Sequence, residues 1–419
     1  MRALLSGVKT GLASRRFWMV FSVWFICLLY VLFQGGKTSI MLFMMISVLA
    51  LYWMIGGLGG VKRIKATRSL ALGIERGGFL QAGEQVLVKL RLQLPGFMPI
   101  PYLVVREVLR RHNGDSWAFE DSVVPYTRGQ AELIYKTPPL ERGTYIFADT
   151  TCFAEDIFGL MEHSSSFHTG GEFRIVPRTV FIPHWELYSR NSPLAGPETA
   201  VTLSRRESTQ INGVRDYVYG DRISRIHWNA TAKTGTWKSK EFEHESLPKT
   251  MLVLDAHTSS YLTPNQFELA VSTVASLLEY GARERISMGL CTMGKTMRLF
   301  APAEGYLDRQ RMIHYLVDID ADGYGNHRDK LETQKEGFPP GVFFILISPV
   351  ADEKALTILN WAKTRQMTPY YIRIGQEALT ASNGGERPTW QASLQEKGLR
   401  GVYVSSLRDL PAVIGGAKL

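Results

Sequence analysis

TMLVLDA, at residues 250–256, and GVFFILIS, at residues 341–348, are two short runs that are almost entirely apolar. Such runs are typical of strands that are buried on both faces of a parallel sheet. Helical patterns lie at about residues 264–285, 306–318 and 352–365, and shorter strand patterns at 286–292, 296–302, 368–374 and 401–405. This alternation of strands and helices predicts a doubly wound α/β domain, which we place at residues 250–419.

Upstream of this domain, short strand patterns are separated by Gly, Pro and Asn. The clearest is QVLVKLRLQL at residues 85–94, in which every second residue is apolar. Alternation of this kind is typical of a strand with one buried face. No long amphipathic pattern interrupts the series, so we predict a β-sandwich domain at residues 69–188. Residues 189–249 then form a predicted linker and a distinctive segment considered below.

The N-terminal 68 residues contain two uncharged apolar stretches, at 17–33 and 39–58. Each is close to the length of about 20 residues that a helix needs to cross a bilayer. We therefore predict a transmembrane hairpin of two helices, with a buried core hairpin as the alternative. Four basic residues precede the first stretch, one lies between the two and four follow the second. The positive-inside rule then places both termini in the cytoplasm of a multi-pass membrane protein that contacts lipid.

The basic surplus of the chain is concentrated at its N-terminus. Nine of the 48 Lys and Arg residues precede residue 69, and no Asp or Glu precedes Glu75. The remaining 39 basic residues are matched by 39 acidic ones, so the rest of the chain is neutral overall. A DNA-binding protein carries a basic footprint, and we therefore expect no nucleic-acid partner.

Residues 213–235 read GVRDYVYGDRISRIHWNATAKTG. This stretch resembles the motif of the bacterial domain of unknown function 58 family, which joins Arg-x-Tyr-x-x-Gly-Asp to Ile-x-Trp and Ala-x-x-Gly. The matching positions, together with the intervening His227, are Arg215, Tyr217, Gly220, Asp221, Ile226, Trp228, Ala232 and Gly235. The resemblance extends upstream to ERGTYIF at 141–147 and DIFGL at 156–160.

The resemblance implies an anchored protein with a β-domain and a domain similar to von Willebrand factor type A. Members are often encoded near MoxR-type AAA+ ATPases and transglutaminase-like membrane proteins, which are therefore the expected protein partners. The activity of the family is not established. A role beside such an ATPase, in protein assembly or maturation, is what the resemblance suggests.

The residues of the motif permit two interpretations. In the first, the segment is an ordered clasp: Asp221 caps a helical turn that begins at Trp228, an arginine pairs with Asp216 or Asp221, and Trp228 packs as an apolar anchor. Residues 237–245 then form a strand beside residues 250–256. In the second, Asp221 and His227 are an acid/base pair.

The resemblance also raises the question of a metal site. Domains of the von Willebrand type bind Mg²⁺ through Asp-x-Ser-x-Ser after the first strand, and Mg²⁺ prefers hard oxygen ligands. Here Asp255 and Ser259 match, but His257 replaces the first serine. The acidic residue expected after the 341–348 strand is replaced by Ser348. We therefore expect no cofactor, with Mg²⁺ at Asp255 and Ser259 as the alternative.

Three functions follow from these patterns. No P-loop, nucleophile elbow or zinc-protease motif is present, which favours a non-enzymatic scaffold or adaptor that works with a MoxR-type ATPase at the cytoplasmic face. The alternatives are a metal-dependent hydrolase that uses Asp221 and Asp255 with His227 and His257, and a protein that binds a ligand through a divalent ion.

Overall fold

The computed structural model describes the backbone of residues 2–57, 64–71, 80–94, 102–125, 129–155, 162–188, 211–219, 221, 223–242, 249–350, 353–375 and 394–416. The chain divides into two compact units. Unit 1 consists of Met1–Gly78, Gln85–Pro138 and Tyr145–Phe173. Unit 2 consists of Phe79–Glu84, Pro139–Thr144 and Arg174–Leu419.

Two helices open unit 1, namely α1 (Arg2–Gln34) and α2 (Lys37–Gly57). Gly35 and Gly36 connect them, and both have positive φ angles, a conformation that glycine adopts without steric cost. Trp24 Nε1 donates to Ser47 Oγ at 3.1 Å, so a polar contact joins the two helices.

The structure corrects the predicted membrane topology. A helix needs about 20 apolar residues to cross a bilayer. Among the residues that the structure describes, no helix is long and apolar enough to span a membrane. This finding contradicts the predicted spans at 17–33 and 39–58, the two-helix membrane anchor of the fold class and the multi-pass localisation. The described chain has a mixed α/β fold instead.

The remaining elements of unit 1 are antiparallel strands. A three-stranded sheet has the order β1-β3-β6, formed by β1 (Lys65–Ala71), β3 (Leu87–Gln93) and β6 (Gln130–Lys136). A second sheet centres on β4 (Leu103–Arg111), which pairs with β5 (Ser116–Val123), β7 (Gly143–Phe147) and β8 (Thr150–Glu155), and β8 pairs with β9 (Glu162–Phe167). Val88, Leu90 and Leu92 are buried at alternate positions of β3, as the period-two pattern predicts.

A buried polar cluster links strands of unit 1. Arg68 Nη2 donates to Glu107 Oε1 at 2.5 Å, and Tyr135 Oη donates to Glu107 Oε2 at 2.5 Å. Thr150 Oγ1 donates to the same carboxylate at 2.9 Å. Burial and the neighbouring carboxylate raise the pKa of Tyr135, so its hydroxyl stays a donor. Glu107 is a fully buried charge whose partners are all within hydrogen-bond distance.

Unit 2 begins with two short strand pairs. The strand β2 (Leu80–Gln81) pairs in parallel with β10 (Glu172–Val176). The strand β11 (Ile211–Asp216) pairs antiparallel with β12 (Lys238–Phe242), and between them lies the helix α3 (Trp228–Thr234). The predicted pairing of residues 237–245 with residues 250–256 is therefore wrong, because β12 takes β11 as its partner.

A six-stranded sheet forms the centre of unit 2, in the order β15-β14-β13-β16-β17-β18. Its strands are β13 (Thr250–Asp255), β14 (Met288–Met293), β15 (Met297–Ala303), β16 (Phe343–Ser348), β17 (Thr368–Ile374) and β18 (Arg400–Val404). All neighbouring pairs are parallel except β14 and β15. The chain moves outward from β13 in one direction and then from β16 in the other. The strand order therefore reverses between β13 and β16.

Helices cover both faces of this sheet. They are α4 (Pro264–Glu284), α5 (Tyr306–Val317), α6 (His327–Thr333), α7 (Glu353–Thr364) and α8 (Leu410–Ile414). Leu252 and Leu254 of β13 belong to the apolar cluster that includes residues of α4, α5 and α8. Met251 and Val253 belong to the cluster that includes residues of α6 and α7. Because successive side chains of a strand point to opposite faces, the four central residues of β13 are all apolar.

Candidate functional site

The point where the strand order reverses is the first place to look for a site. In open α/β sheets, ligands bind in the crevice at the carboxyl ends of the strands that flank this point. Asp255 is the last residue of β13, and Ser348 is the last residue of β16. Ser348 Oγ donates to Asp255 Oδ2 at 2.8 Å, so the two strand ends are joined across the crevice.

The other oxygen of Asp255 is bound by two nitrogen donors. His327 Nε2 donates to Asp255 Oδ1 at 3.0 Å, and the backbone N–H of His257 donates to the same atom at 3.0 Å. Asn326 caps α6 by accepting from the N–H of Arg328, which sets His327 at the start of the helix. The Asp255 side chain therefore accepts at least three hydrogen bonds and is only 2% exposed.

The protonation of Asp255 follows from these contacts. Burial favours the neutral acid and by itself raises the pKa. The hydrogen bond and charge of His327 oppose it, together with the hydroxyls of Ser260 and Ser348. The net effect lowers the pKa of Asp255 below its usual range, so this carboxyl is an anion held by protein donors.

His257, which replaces the first serine of the metal motif, also forms hydrogen bonds within the protein. Its Nε2 donates to the carbonyl of Gly325 at 2.9 Å, and its Nδ1 accepts from Ser259 Oγ at 3.1 Å. Its ring lies 4.7 Å from that of His327, centre to centre. Both imidazole nitrogens of His257 and the Ser259 hydroxyl are thus used within the protein.

A tight loop brings His327 to the strand end. Gly323 donates its N–H to the carbonyl of Ala256 at 2.8 Å and accepts from the N–H of Thr258 at 3.0 Å. A Cβ atom at Gly323 would lie 2.7 Å from the carbonyl oxygen of Met293. The loop can approach β13 this closely only because residue 323 has no side chain.

These contacts do not fit the Mg²⁺ alternative at Asp255 and Ser259. Mg²⁺ needs oxygen ligands in octahedral geometry. The Asp255 oxygens face N–H and O–H donors, and the Ser259 hydroxyl is bonded to His257. Among the residues that the structure describes, no group of three or more His, Cys, Asp or Glu side chains is arranged to hold a metal.

Lysine 330 adds a positive charge at the same edge of the sheet. Its ammonium group donates to the carbonyl of Gly294 at 2.8 Å. Partial burial lowers the pKa of Lys330, while the charges of Asp322 and Asp255 act in the opposite direction. His327 and Lys330 therefore place two nitrogen donors from α6 at this edge of the sheet.

The family motif forms a separate site on β11, β12 and α3. Arg215 Nη2 donates to Asp221 Oδ1 at 2.7 Å, and the N–H of Val218 donates to Asp221 Oδ2 at 3.1 Å. The arginine hydrogen bond, followed by that of Val218, lowers the pKa of Asp221. Asp221 thus holds the turn closed, as one of the two predicted pairings requires, while Asp216 pairs with Lys238 at 2.6 Å.

The cap of α3 differs from the prediction. His227 Nδ1 accepts from the N–H of Ala230 at 3.1 Å, so His227 and not Asp221 caps the helix. The described hydrogen bonds of the Asp221 carboxylate come from Arg215 and Val218 and not from His227. Of the predicted clasp, the structure therefore retains the arginine pair of Asp221 but not the helix cap.

The other motif residues take varied positions. Tyr217 Oη donates to the carbonyl of Asp221 at 3.3 Å, and Ile226 is buried and bridges to Ser239 of β12. Gly235 ends α3 with a φ of +68°, and Ala232 is exposed. Gly220 lies outside the described residues, as do residues 156–160 and 189–210.

Trp228 is not the buried anchor that the motif predicts, because it is 62% exposed. Several other large apolar side chains of β11 and of the segment between β11 and β12 are also exposed. We call this set the hairpin surface, and its members are Val214, Val218, Tyr219, Ile223, Trp228 and Trp237. Asp216 is paired in register with Lys238, and His227 donates its N–H to the carbonyl of Lys238. Tyr219, Trp228 and Trp237 therefore lie near the same end of the β11–β12 pair.

The two aspartates of the hydrolase hypothesis are not brought together by any described contact. Asp221 is held by Arg215 and Val218, whereas Asp255 is held by His327, Ser348 and the His257 N–H. The residue that sequence reasoning missed is His327. The one available signal was Asn326 followed by His327, just after two glycines, which predicts the start of a helix. This signal does not predict that His327 contacts a residue 72 positions away in the sequence.

Comparisons with known proteins agree with the motif. The family described as protein of unknown function DUF58 matches residues 213–338. An uncharacterized protein, YeaD of Bacillus subtilis (strain 168), is 26% identical over 304 residues, which cover 70% of this chain and 72% of YeaD.

Solved structures show only low similarity. Proximal thread matrix protein 1 from the mussel byssus is 14% identical, with a TM-score of 0.27. The match covers 41% of this chain and 47% of the mussel protein chain. The ApaA protein of Bordetella pertussis is 9% identical, covers 27% of this chain and 93% of its own, and has a TM-score of 0.21. Scores this low assign neither fold nor function. The family match includes both the β11–β12 motif and the loop that carries His327, so the resemblance of the motif to the DUF58 family is confirmed over residues 213–338.

Proposed function

We propose that the protein is a non-enzymatic scaffold or adaptor that binds a protein partner through the hairpin surface. The observation that carries this proposal is the exposure of large apolar side chains there: Tyr219 is fully exposed, and Trp228 and Trp237 are 62% and 54% exposed. Clusters of exposed apolar side chains mark interaction sites, and Trp and Tyr are enriched among the residues that dominate binding energy.

The candidate catalytic groups are hydrogen-bonded within the protein, which supports a binding role over the hydrolase alternative. A general acid or base must reach the reacting atoms with a free lone pair or proton. Asp255 is almost fully buried among its donors, and Asp221 is held by Arg215 and Val218. His227 caps α3 with its Nδ1. These contacts stabilise the fold and leave little of the three groups for chemistry.

The proposed partner is a MoxR-type AAA+ ATPase, with a transglutaminase-like membrane protein as a further candidate. Both come from the family resemblance of the motif. An adaptor would give such an ATPase a fixed surface at which to act on a client protein.

The test is binding of the full-length chain to a purified MoxR-type ATPase encoded beside its gene. Biolayer interferometry should give saturable binding that Tyr219→Ser and Trp228→Ala each weaken. Leu307→Ser is the matched control, because Leu307 is 67% exposed and lies on α5, outside the motif. Binding that is unaffected by the hairpin variants, or no binding to any neighbouring gene product after gentle cross-linking, would refute the proposal.

A further inference from the structure

We infer that the hairpin surface accepts an acidic protein segment that carries apolar side chains. This inference rests on the proposed function, which it deepens by naming the chemistry of the partner. Its basis is a local excess of positive charge around the exposed aromatic residues.

The charge of the hairpin is unlike that of the rest of the chain. Residues 211–242, from the start of β11 to the end of β12, contain six Lys and Arg and three acidic residues, whereas the chain after residue 68 is neutral overall. The positive charge of this segment is therefore a local feature and is balanced by a negative excess elsewhere. Charge of this kind steers an oppositely charged partner and sets binding orientation.

Two of the three carboxylates of the segment are already neutralised from within, and the third belongs to Glu241. Arg215 lies 2.7 Å from Asp221, and Lys238 lies 2.6 Å from Asp216. The other four cations are Arg222, Arg225, Lys233 and Lys240. Lys233 is exposed at the end of α3, and neither Lys233 nor Lys240 forms an ion pair with another described side chain. These two lysines remain available to pair with acidic groups of a partner.

The apolar members of the hairpin surface determine the rest of the partner's chemistry. Val218 and Ile223 are 60% and 69% exposed and lie in the turn that Asp221 closes, between β11 and α3. Aliphatic side chains of this kind bury well against Leu or Phe of a protein segment. Single-stranded nucleic acid binds mainly by stacking bases on aromatic rings along a basic groove. The mixture of aliphatic and aromatic side chains therefore favours a protein segment over a nucleic acid.

The experiment uses the full-length chain and synthetic probes. The main probe is a fluorescein-labelled peptide of Glu and Asp interspersed with Leu and Phe. The comparison probes replace every acidic residue with Lys, or every Leu and Phe with Ser, and a fourth probe is a single-stranded oligothymidylate. Fluorescence anisotropy at several salt concentrations gives each dissociation constant.

We expect only the acidic apolar peptide to bind well, and its affinity to fall with salt. The double variant Lys233→Glu/Lys240→Glu should weaken it about tenfold, and so should Trp228→Ala, because one strong interface contact is worth about that factor. Lys335→Glu and Leu307→Ser are matched controls on exposed sites outside the hairpin. Thermal unfolding of each variant is the control that tests whether the fold is retained.

Three results would overturn the inference. They are equal or tighter binding of the Lys-substituted peptide, tighter binding of the oligothymidylate, and Trp228-dependent self-association in sedimentation velocity without peptide binding. The ATPase assay separates this failure from that of the proposed function. If Trp228→Ala abolishes ATPase binding but the double lysine variant does not change it, the acidic partner is wrong and the adaptor role stands.

Discussion

Replacement of His327 by alanine should destabilise the sheet of unit 2 where β13 and β16 meet. The variant removes the 3.0 Å hydrogen bond to Asp255 Oδ1 while the carboxylate stays buried. A hydrogen bond to a charged group contributes about 1.5–3 kcal/mol. The lost packing of a ring that is 8% exposed adds about 1 kcal/mol. We therefore expect a loss of about 2–4 kcal/mol in the free energy of local unfolding.

Hydrogen exchange measured by mass spectrometry reports this loss at the right place. Peptides that cover residues 250–255 and 343–348 contain the amides of β13 and β16. Since each 1.4 kcal/mol is a factor of ten, their exchange should become about 30- to 1,000-fold faster in His327→Ala. His327→Gln retains an N–H donor at a similar reach and should cost only about 1 kcal/mol. A change below about twofold in His327→Ala would refute the reasoning.

The same variant should shift the acid sensitivity of the sheet. The folded-state pKa of Asp255 is lowered, so its stabilisation is present above the ordinary Asp range and is lost as the pH falls through the folded pKa. Burial raises the pKa of Asp255, and without His327 only the remaining hydrogen-bond donors lower it. The pKa of Asp255 therefore rises in the variant. Acid unfolding of His327→Ala, followed by exchange of the β13 amides, should therefore begin at a higher pH than in the wild type. An unchanged acid midpoint would mean that His327 does not hold this charge.

Three further variants test other parts of the fold. Gly323→Ala places a Cβ 2.7 Å from the Met293 carbonyl oxygen, so the β13 amides should lose protection much as in His327→Ala; normal protection would show that the loop approach is not required. Gly235→Ala should cost about 1 kcal/mol in thermal unfolding, because residue 235 has a φ of +68°, and Gly235→Asn should cost less. Arg68→Met leaves the buried Glu107 carboxylate without its cation and should destabilise unit 1 by about 3–5 kcal/mol in urea unfolding, whereas Arg68→Met/Glu107→Leu should recover most of that loss.

The strands and helices of unit 2 were predictable because local signals define them. The apolar run at 250–256 is too short for a helix and becomes β13, and the run at 341–348 becomes β16. The helix predicted from Pro264 begins there, with proline at its first position, and ends at Glu284 before a residue with a positive φ. Such local patterns do not specify pairing, and β12 accordingly joins β11 rather than β13.

The N-terminal prediction failed for a different reason. An apolar run such as 39–58 indicates that side chains avoid water, but it does not specify the surroundings in which they do so. The contacts of Asp255 were unpredictable for a third reason. Its main partner, His327, belongs to a short helix whose sequence lacks a periodic pattern of apolar residues. The two residues meet only because the loop that contains Gly323 lies across the strand ends.

The two sites of unit 2 have opposite physical characters, and this contrast supports the proposal that a partner binds at the hairpin surface. Where the strand order reverses, the Asp255 carboxylate is buried and hydrogen-bonded by groups of its own chain, so a ligand would have to displace those hydrogen bonds. At the hairpin surface, Trp228 and Tyr219 remain in water, although burying a large apolar side chain is worth about 1.5–3 kcal/mol. A partner would gain that energy without breaking any contact. Variants at His327 should therefore change stability, variants at Trp228 should change binding, and the two effects should be additive if the sites are independent.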